Sequence, residues 1–297
     1  MTTDRRQLAT MIALLALSGW AFYPTFDWML GKWETDPQYS HGFLVPLFSV
    51  FLLWQQRHAV NSWFGTPWPI IATLLLSGTV ALRFLAGGLL FHQLDAVALL
   101  VTMAALALAL GGGRLLRVTA PAIAFLIFMV PLPYELERNV GGPLKLAATQ
   151  ASTFLLQTLG YPAIAEGNLI LIDDIRLGVV DACSGLKMLM TFAAFAVAAV
   201  LLLDRSRFEK LLILMGIVPI AVITNVLRVT ATGIGHTLAH DKATLDFLHD
   251  LFGWLMMPAG LALLGLQLWI LSRLVLPAES STNQFTYPTK MTSLGTV

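Results

Sequence analysis

The sequence predicts an all-α polytopic membrane protein of about eight transmembrane helices, with a small extracytoplasmic β-hairpin placed before a lone cysteine. Three observations predict it. The 297 residues are 57% hydrophobic and 12% charged, with a mean hydropathy of +0.76, whereas a soluble domain carries about 25% charged residues. The apolar residues are gathered into runs near the ~20 residues that cross a bilayer as a helix. One long interruption, 134–182, holds two short β-rich runs about an Asp-Asp pair. A net charge of +1 gives no basis for nucleic-acid binding or a large polybasic surface. The single cysteine excludes an intrachain disulfide and a multi-cysteine metal site.

The runs place spans at 8–27, 42–55, 68–87, 93–110, 118–133, 183–203, 211–230 and 251–271. The first is expected to be retained as a helix, because further spans follow it and no small-residue cleavage site is evident. Pro131 and Pro133 bound the fifth. Within the interruption, Leu144, Ala148, Leu155 and Leu159 recur near helical spacing, which predicts an amphipathic helix at the interface over Gly142–Leu159. Glu166-Gly167-Asn168 then leads into Leu169–Ile172, Asp173-Asp174 and Ile175–Val180, the pattern of a short hairpin. Residues 1–276 read as one integral membrane domain and 277–297 as a flexible cytoplasmic tail.

Charge sets the orientation. With the N-terminus inside, eight spans leave Arg5, Arg6, Arg57, Arg114, Arg117, Arg205, Arg207, Lys210 and Arg273 on the cytoplasmic side. Lys32, Arg138, Lys145, Arg176 and Lys242 fall outside, so the positive-inside tendency is met. The same threading brings three dispersed residues to one outer boundary: Cys183 opens the sixth span, Arg228 ends the seventh and His249 precedes the eighth.

Those three residue types form a coherent chemical set. A thiol becomes a strong nucleophile on losing its proton, and an imidazole can take that proton and later give it to a leaving amine. An arginine stays charged and can donate to a developing oxyanion. Plainer readings exist for each: Cys183 as a packed small residue, Arg228 snorkelling to a headgroup, His249 capping a helix. A membrane acyltransferase using Cys183, or a small-molecule transporter using Arg228 to bind an anion, are the alternative functions. His236 and His240 are four apart but lack a carboxylate partner in a known motif, so no metal is expected. Gly111-Gly112-Gly113 followed by Arg114 supplies no phosphate-binding pattern, and no cofactor is expected.

At these residues the chain resembles the exosortase/archaeosortase family of membrane cysteine transpeptidases. The resemblance is carried by Ala182-Cys183-Ser184-Gly185-Leu186, Asn225-Val226-Leu227-Arg228-Val229 and His249-Asp250-Leu251-Phe252-Gly253-Trp254. Tyr39-Ser40-His41-Gly42-Phe43-Leu44-Val45-Pro46 and the β-rich run before the cysteine fit as well. The resemblance implies Cys183 as nucleophile, His249 as general acid/base and Arg228 as oxyanion or thiolate stabiliser. Asn225 would orient Arg228, Lys187 would sit one helical turn from the thiol, Gly185 would allow close packing beside it, and His41 would line the substrate's approach or hold local structure. It also implies the partners: exported proteins bearing a C-terminal sorting signal (a Pro-Glu-Pro-type motif, a hydrophobic helix and a basic tail), membrane lipid, and a surface acceptor of unknown chemistry. The implied place is the cell inner membrane, with the site facing the periplasm.

Overall fold

The computed structural model describes residues 2–57, 64–89, 91–173, 175–178, 185–239 and 241–274. It is an all-α, multi-pass helical protein with one small antiparallel sheet. The order is α1 (Thr2–Ala21), α2 (Tyr23–Thr35), a 3-10 segment (Pro37–Phe43), α3 (Leu44–Gln55), α4 (Pro69–Leu89) and α5 (His92–Phe125), which continues as a 3-10 turn (Leu126–Met129). Then follow α6 (Tyr134–Thr158), β1 (Ala163–Glu166), β2 (Leu169–Ile172), β3 (Ile175–Gly178), α7 (Gly185–Leu202), α8 (Arg207–Met215), α9 (Ile217–Leu238) and α10 (Lys242–Leu274).

Among the described residues, four helical stretches are long and apolar enough to cross a membrane: Pro69–Leu89, His92–Met129, Arg207–Leu238 and Ala243–Leu274. The described helices divide the chain differently from the eight expected runs, and the differences have plain geometric causes. The 38 residues of His92–Met129 would run about 57 Å if straight, nearly twice the ~30 Å apolar core. They are not straight. Gly112 adopts φ 61, ψ −154, inside α5, a conformation open to glycine alone. Beyond it the chain doubles back: the Gln93 amide donates to the Leu132 carbonyl at 3.5 Å, and Ala96, Leu99 and Leu100 share a buried cluster with Ala122, Phe125 and Met129. The expected fourth and fifth spans are thus two arms joined at Gly112, between the runs 93–110 and 118–133.

The second difference is α3. Its 12 residues reach only about 18 Å, too short to cross alone, where a span over 42–55 was expected. The first expected span is also divided, because α1 ends at Ala21 and α2 starts at Tyr23 with Pro24 in its first turn, a position that suits proline's fixed φ.

The helix expected over Gly142–Leu159 begins earlier, at Tyr134, and packs against α7 and α9 rather than lying alone at the interface. Its buried stripe is Gly141, Ala148, Thr149, Ser152, Thr153 and Leu156, while Leu159 is exposed. Small and hydroxyl residues let two backbones approach closely; the Ser152 hydroxyl donates to the Val226 carbonyl at 3.3 Å. The face chosen from leucine spacing was therefore rotated from the one that packs.

The sheet has three strands in the order β1-β2-β3, where two were expected. The hairpin about Asp173 is present, pairing Ile172 with Ile175, and Asp173 takes a positive φ of 51. The additional strand β1 joins β2 through Gly167-Asn168, with Gly167 at φ 61 and Glu166 paired with Leu169. Ile170, Ile172 and Leu177 bury themselves with Leu156 of α6 and Val229 of α9. Alternation along β2 and β3 thus fixes the sheet to the helix that carries Arg228.

The first half of the bundle is tied by polar groups. Arg83 Nε meets Asp95 Oδ1 at 2.7 Å, Arg83 Nη2 donates to the Ala21 carbonyl at 2.9 Å, and the Thr25 hydroxyl donates to Asp95 Oδ2. The guanidinium also lies 4.1 Å over the Phe22 ring. This knot links α4 and α5 to the α1–α2 junction. A charge in an apolar helix is tolerated when paired in this way.

Candidate active site

Consecutive helices α9 and α10 pack as an antiparallel pair. Glycines set how near they come. A Cβ at Gly235 would lie 3.2 Å from Leu248 and 3.4 Å from Phe252, and a Cβ at Gly253 would lie 3.2 Å from Arg228 Nη2. The Arg228 guanidinium therefore rests against a bare stretch of α10 backbone.

Arg228 was expected at the end of its helix and His249 just ahead of the next. Both instead fall within helices: α9 runs on to Leu238 and α10 begins at Lys242. The reason is that Arg207–Leu238, at 32 residues, spans about 48 Å and outreaches the ~30 Å apolar core. Hydropathy marks only the bilayer section, while helical structure continues into the α9–α10 tip. That tip is supported by the sheet, since a Cβ at Gly233 would meet Ile172 at 3.2 Å.

A cavity of about 430 Å³ opens beside Arg228, lined by Ser40, Met188, Thr191, Phe192, Arg228, Asp250, Gly253, Trp254, Met256 and Met257. Its walls come from the 3-10 segment, α7, α9 and α10. Half of these residues, three methionines with Phe192 and Trp254, give thioether or aromatic surface, adaptable and apolar. Among the described residues Arg228 is the one cation lining it and forms no ion pair, and its Nε is buried without a hydrogen-bond partner. A buried donor left in that state costs about 1–3 kcal/mol, so the arrangement favours an incoming acceptor. Asn225, one turn earlier, is 1% exposed, and neither end of its amide is paired among the described residues. It does not hydrogen-bond Arg228, as an orienting role expected.

Cys183 lies outside the described residues, so its distance from Arg228 is not given by the structure. Its described flanks are well fixed. Leu177 of β3 packs in the cluster that contains Val229, and Met188 of α7 lines the Arg228 cavity. Gly185 opens α7, and Leu186 stands 3.8 Å from where a Gly141 Cβ would be. The side chains of Lys187 and His249 also lie outside the described residues. The backbone of His249 sits in α10, one turn before Gly253.

His41 is tied to the 126–132 segment. It is buried, and its Nε2 donates to the Phe128 carbonyl at 3.1 Å. Its neighbours act alike: the Leu132 N–H donates to the Tyr39 hydroxyl at 3.2 Å, and the Trp33 indole N–H donates to the Met129 carbonyl at 2.9 Å. Gly42 lies beneath that indole, where a Cβ would come within 2.4 Å. The Tyr39–Pro46 run thus clamps the 126–132 segment and delivers Ser40 to the cavity. Ser40, Asp250, Gly253 and Trp254 lie inside the motif runs Tyr39–Pro46 and His249–Trp254, which is their one sequence signal; Thr191 and the methionines carry none beyond lying on apolar helices. Among the described residues, no cluster of three His, Cys, Asp or Glu is placed to hold a metal.

The family model described as Transmembrane exosortase matches residues 33–266. No curated protein and no solved structure matches the chain. The matched range takes in the Tyr39–Pro46 clamp, the sheet, Cys183, and the α9–α10 pair that holds Arg228. Because it covers well over half of the 297 residues, this chain belongs to the transmembrane exosortase family.

Proposed function

We propose that this chain is a membrane-embedded cysteine peptidase or transpeptidase. It would cleave the C-terminal sorting signal of exported proteins and pass them to a surface acceptor. Family membership supports a sorting-signal-processing role. The observation that carries the site is Arg228, without an ion pair among the described residues, in a cavity whose wall includes Met188, five residues beyond Cys183.

In this reading the Cys183 thiolate attacks the carbonyl carbon of the scissile peptide. Arg228 donates to the oxygen as it gains negative charge; in a cavity walled by methionine and aromatic groups that interaction is worth more than in water. The carbon–nitrogen bond breaks, His249 protonates the departing amine, and a thioester remains. Water or an acceptor nucleophile then attacks the thioester, His249 takes the proton, and the thiolate is restored. The sorting helix would lie in the bilayer beside α10, which exposes Trp254, Leu255 and Met257. The site would face the periplasm from the inner membrane.

The test is co-expression with a tagged exported protein carrying a Pro-Glu-Pro-type C-terminal region, its intact mass compared for wild type and Cys183→Ala at matched membrane levels. Processing near the motif that vanishes in the variant supports the reading. The same mass with both proteins, across motif variants and in the native host, sinks it.

A further inference from the structure

The other half of the bundle holds a second cavity, about 480 Å³, between α4 and α5. Its lining includes Val80, Arg83, Phe84, Gly87, His92 and Asp95. What it offers a ligand follows from which polar atoms are already engaged. Both Asp95 oxygens are used, one by Arg83 Nε and one by the Thr25 hydroxyl. Arg83 Nη2 is used by the Ala21 carbonyl. Among the described residues, Arg83 Nη1 makes no hydrogen bond, and neither ring nitrogen of His92 makes one. The His92 ring is held in place by stacking on Trp28, centroids 5.2 Å apart and planes 18° from parallel.

The polar wall therefore offers two open donors, Arg83 Nη1 and the N–H of the His92 ring, beside an Asp95 carboxylate already engaged through both oxygens. His92 is also the first residue of α5, where the unpaired N–H groups of the first turn favour a negative group. The rest of the wall is apolar and runs out onto a helix apolar enough to cross the membrane, with Val80 68% and Phe84 84% exposed. Such a surface is covered by acyl chains. A matching ligand joins an anionic, acceptor-only group to hydrocarbon chains.

We propose that the α4–α5 cavity seats the phosphodiester of a membrane glycerophospholipid, with Arg83 Nη1 and His92 as donors and its chains along Val80 and Phe84. The site is separate from the cysteine chemistry and stands or falls independently of it.

The test is native mass spectrometry of the full chain released from detergent, offered phosphatidylglycerol, diacylglycerol with the same chains, or glycerol phosphate. One charge-assisted contact sets the expected preference: phosphatidylglycerol retained at least ~10-fold over diacylglycerol, with no retention of glycerol phosphate alone. Gly87→Phe fills the cavity from a position whose Cβ would meet nothing within 4 Å, and it should abolish the preference. Val80→Trp fills it independently and keeps the test standing if the first variant fails to accumulate. Equal retention of the two lipids, retention of glycerol phosphate alone, or an unchanged preference in a folded filler variant would overturn the proposal.

Discussion

The guanidinium of Arg228 lies against Gly253 so closely that a methyl group added there would stand 3.2 Å from Nη2. That contact couples two runs of sequence, one on α9 and one on α10, at the edge of a single cavity. It predicts a specific effect of Gly253→Ala. The arginine must move by a few tenths of an ångström, and under the role proposed for Arg228 a displacement of that order lowers the rate by about tenfold. Processing time courses at matched membrane levels should show this loss with little change in thermal unfolding. Gly253→Val should lose more. A Gly253→Ala protein as fast as wild type would mean that Arg228 is not held by this contact.

Gly112 should tolerate no side chain. Its φ of 61 with ψ −154 is a glycine conformation, and a Cβ would fall 1.9 Å from the Thr66 carbonyl oxygen. Gly112→Ala is expected to destabilise by ~3 kcal/mol or more, read as a lowered unfolding temperature and reduced membrane accumulation. An unchanged unfolding temperature would contradict the doubling back of α5.

The Arg83–Asp95 pair should behave as a partly buried ion pair. Either Arg83→Met or Asp95→Asn removes the opposite charge from its partner, leaving Asp95 only the Thr25 hydroxyl or Arg83 only neutral acceptors, and should destabilise by ~3 kcal/mol. The double variant should recover part of that loss. Additive losses would show that the 2.7 Å contact contributes no coupling.

Tyr39 and His41 hold backbone carbonyl and amide groups of the 126–132 segment. Tyr39→Phe and His41→Gln are each expected to lower stability by ~1 kcal/mol while leaving processing largely intact once protein levels are matched. A His41→Gln protein that is stable yet inactive would restore this histidine to the chemistry.

Much of the architecture was legible because hydropathy and breakers report directly on solvent. The Asp173 turn, the break between the runs 93–110 and 118–133, and the start of α7 near Cys183 were all readable from the residue pattern. Strand β1 was missed because Ala163–Glu166 buries only its first residue, so alternation gives no signal; Gly167-Asn168 was the available clue. The buried face of α6 was misplaced because its packing uses Gly, Ala, Ser and Thr, which hydrophobic spacing does not weigh. Arg83 and Asp95 passed unremarked inside apolar runs, although a charge in such a run is itself a signal. Arg228 was placed at a helix end because apolarity stops where the bilayer stops, and the helix does not. The meeting of Arg228 with Gly253 could not be read at all, since it depends on how two helices cross.

The central claim is that Cys183 works in the same site as Arg228 and His249. Since the chain contains one cysteine, alkylation reports on that thiol alone. The direct measurement is the iodoacetamide labelling rate of Cys183 at neutral pH, by intact mass, for wild type, Arg228→Gln and His249→Gln in membranes. The account predicts labelling slowed by about tenfold in each variant, because each loses a group that favours the thiolate. Equal rates in all three proteins would contradict it.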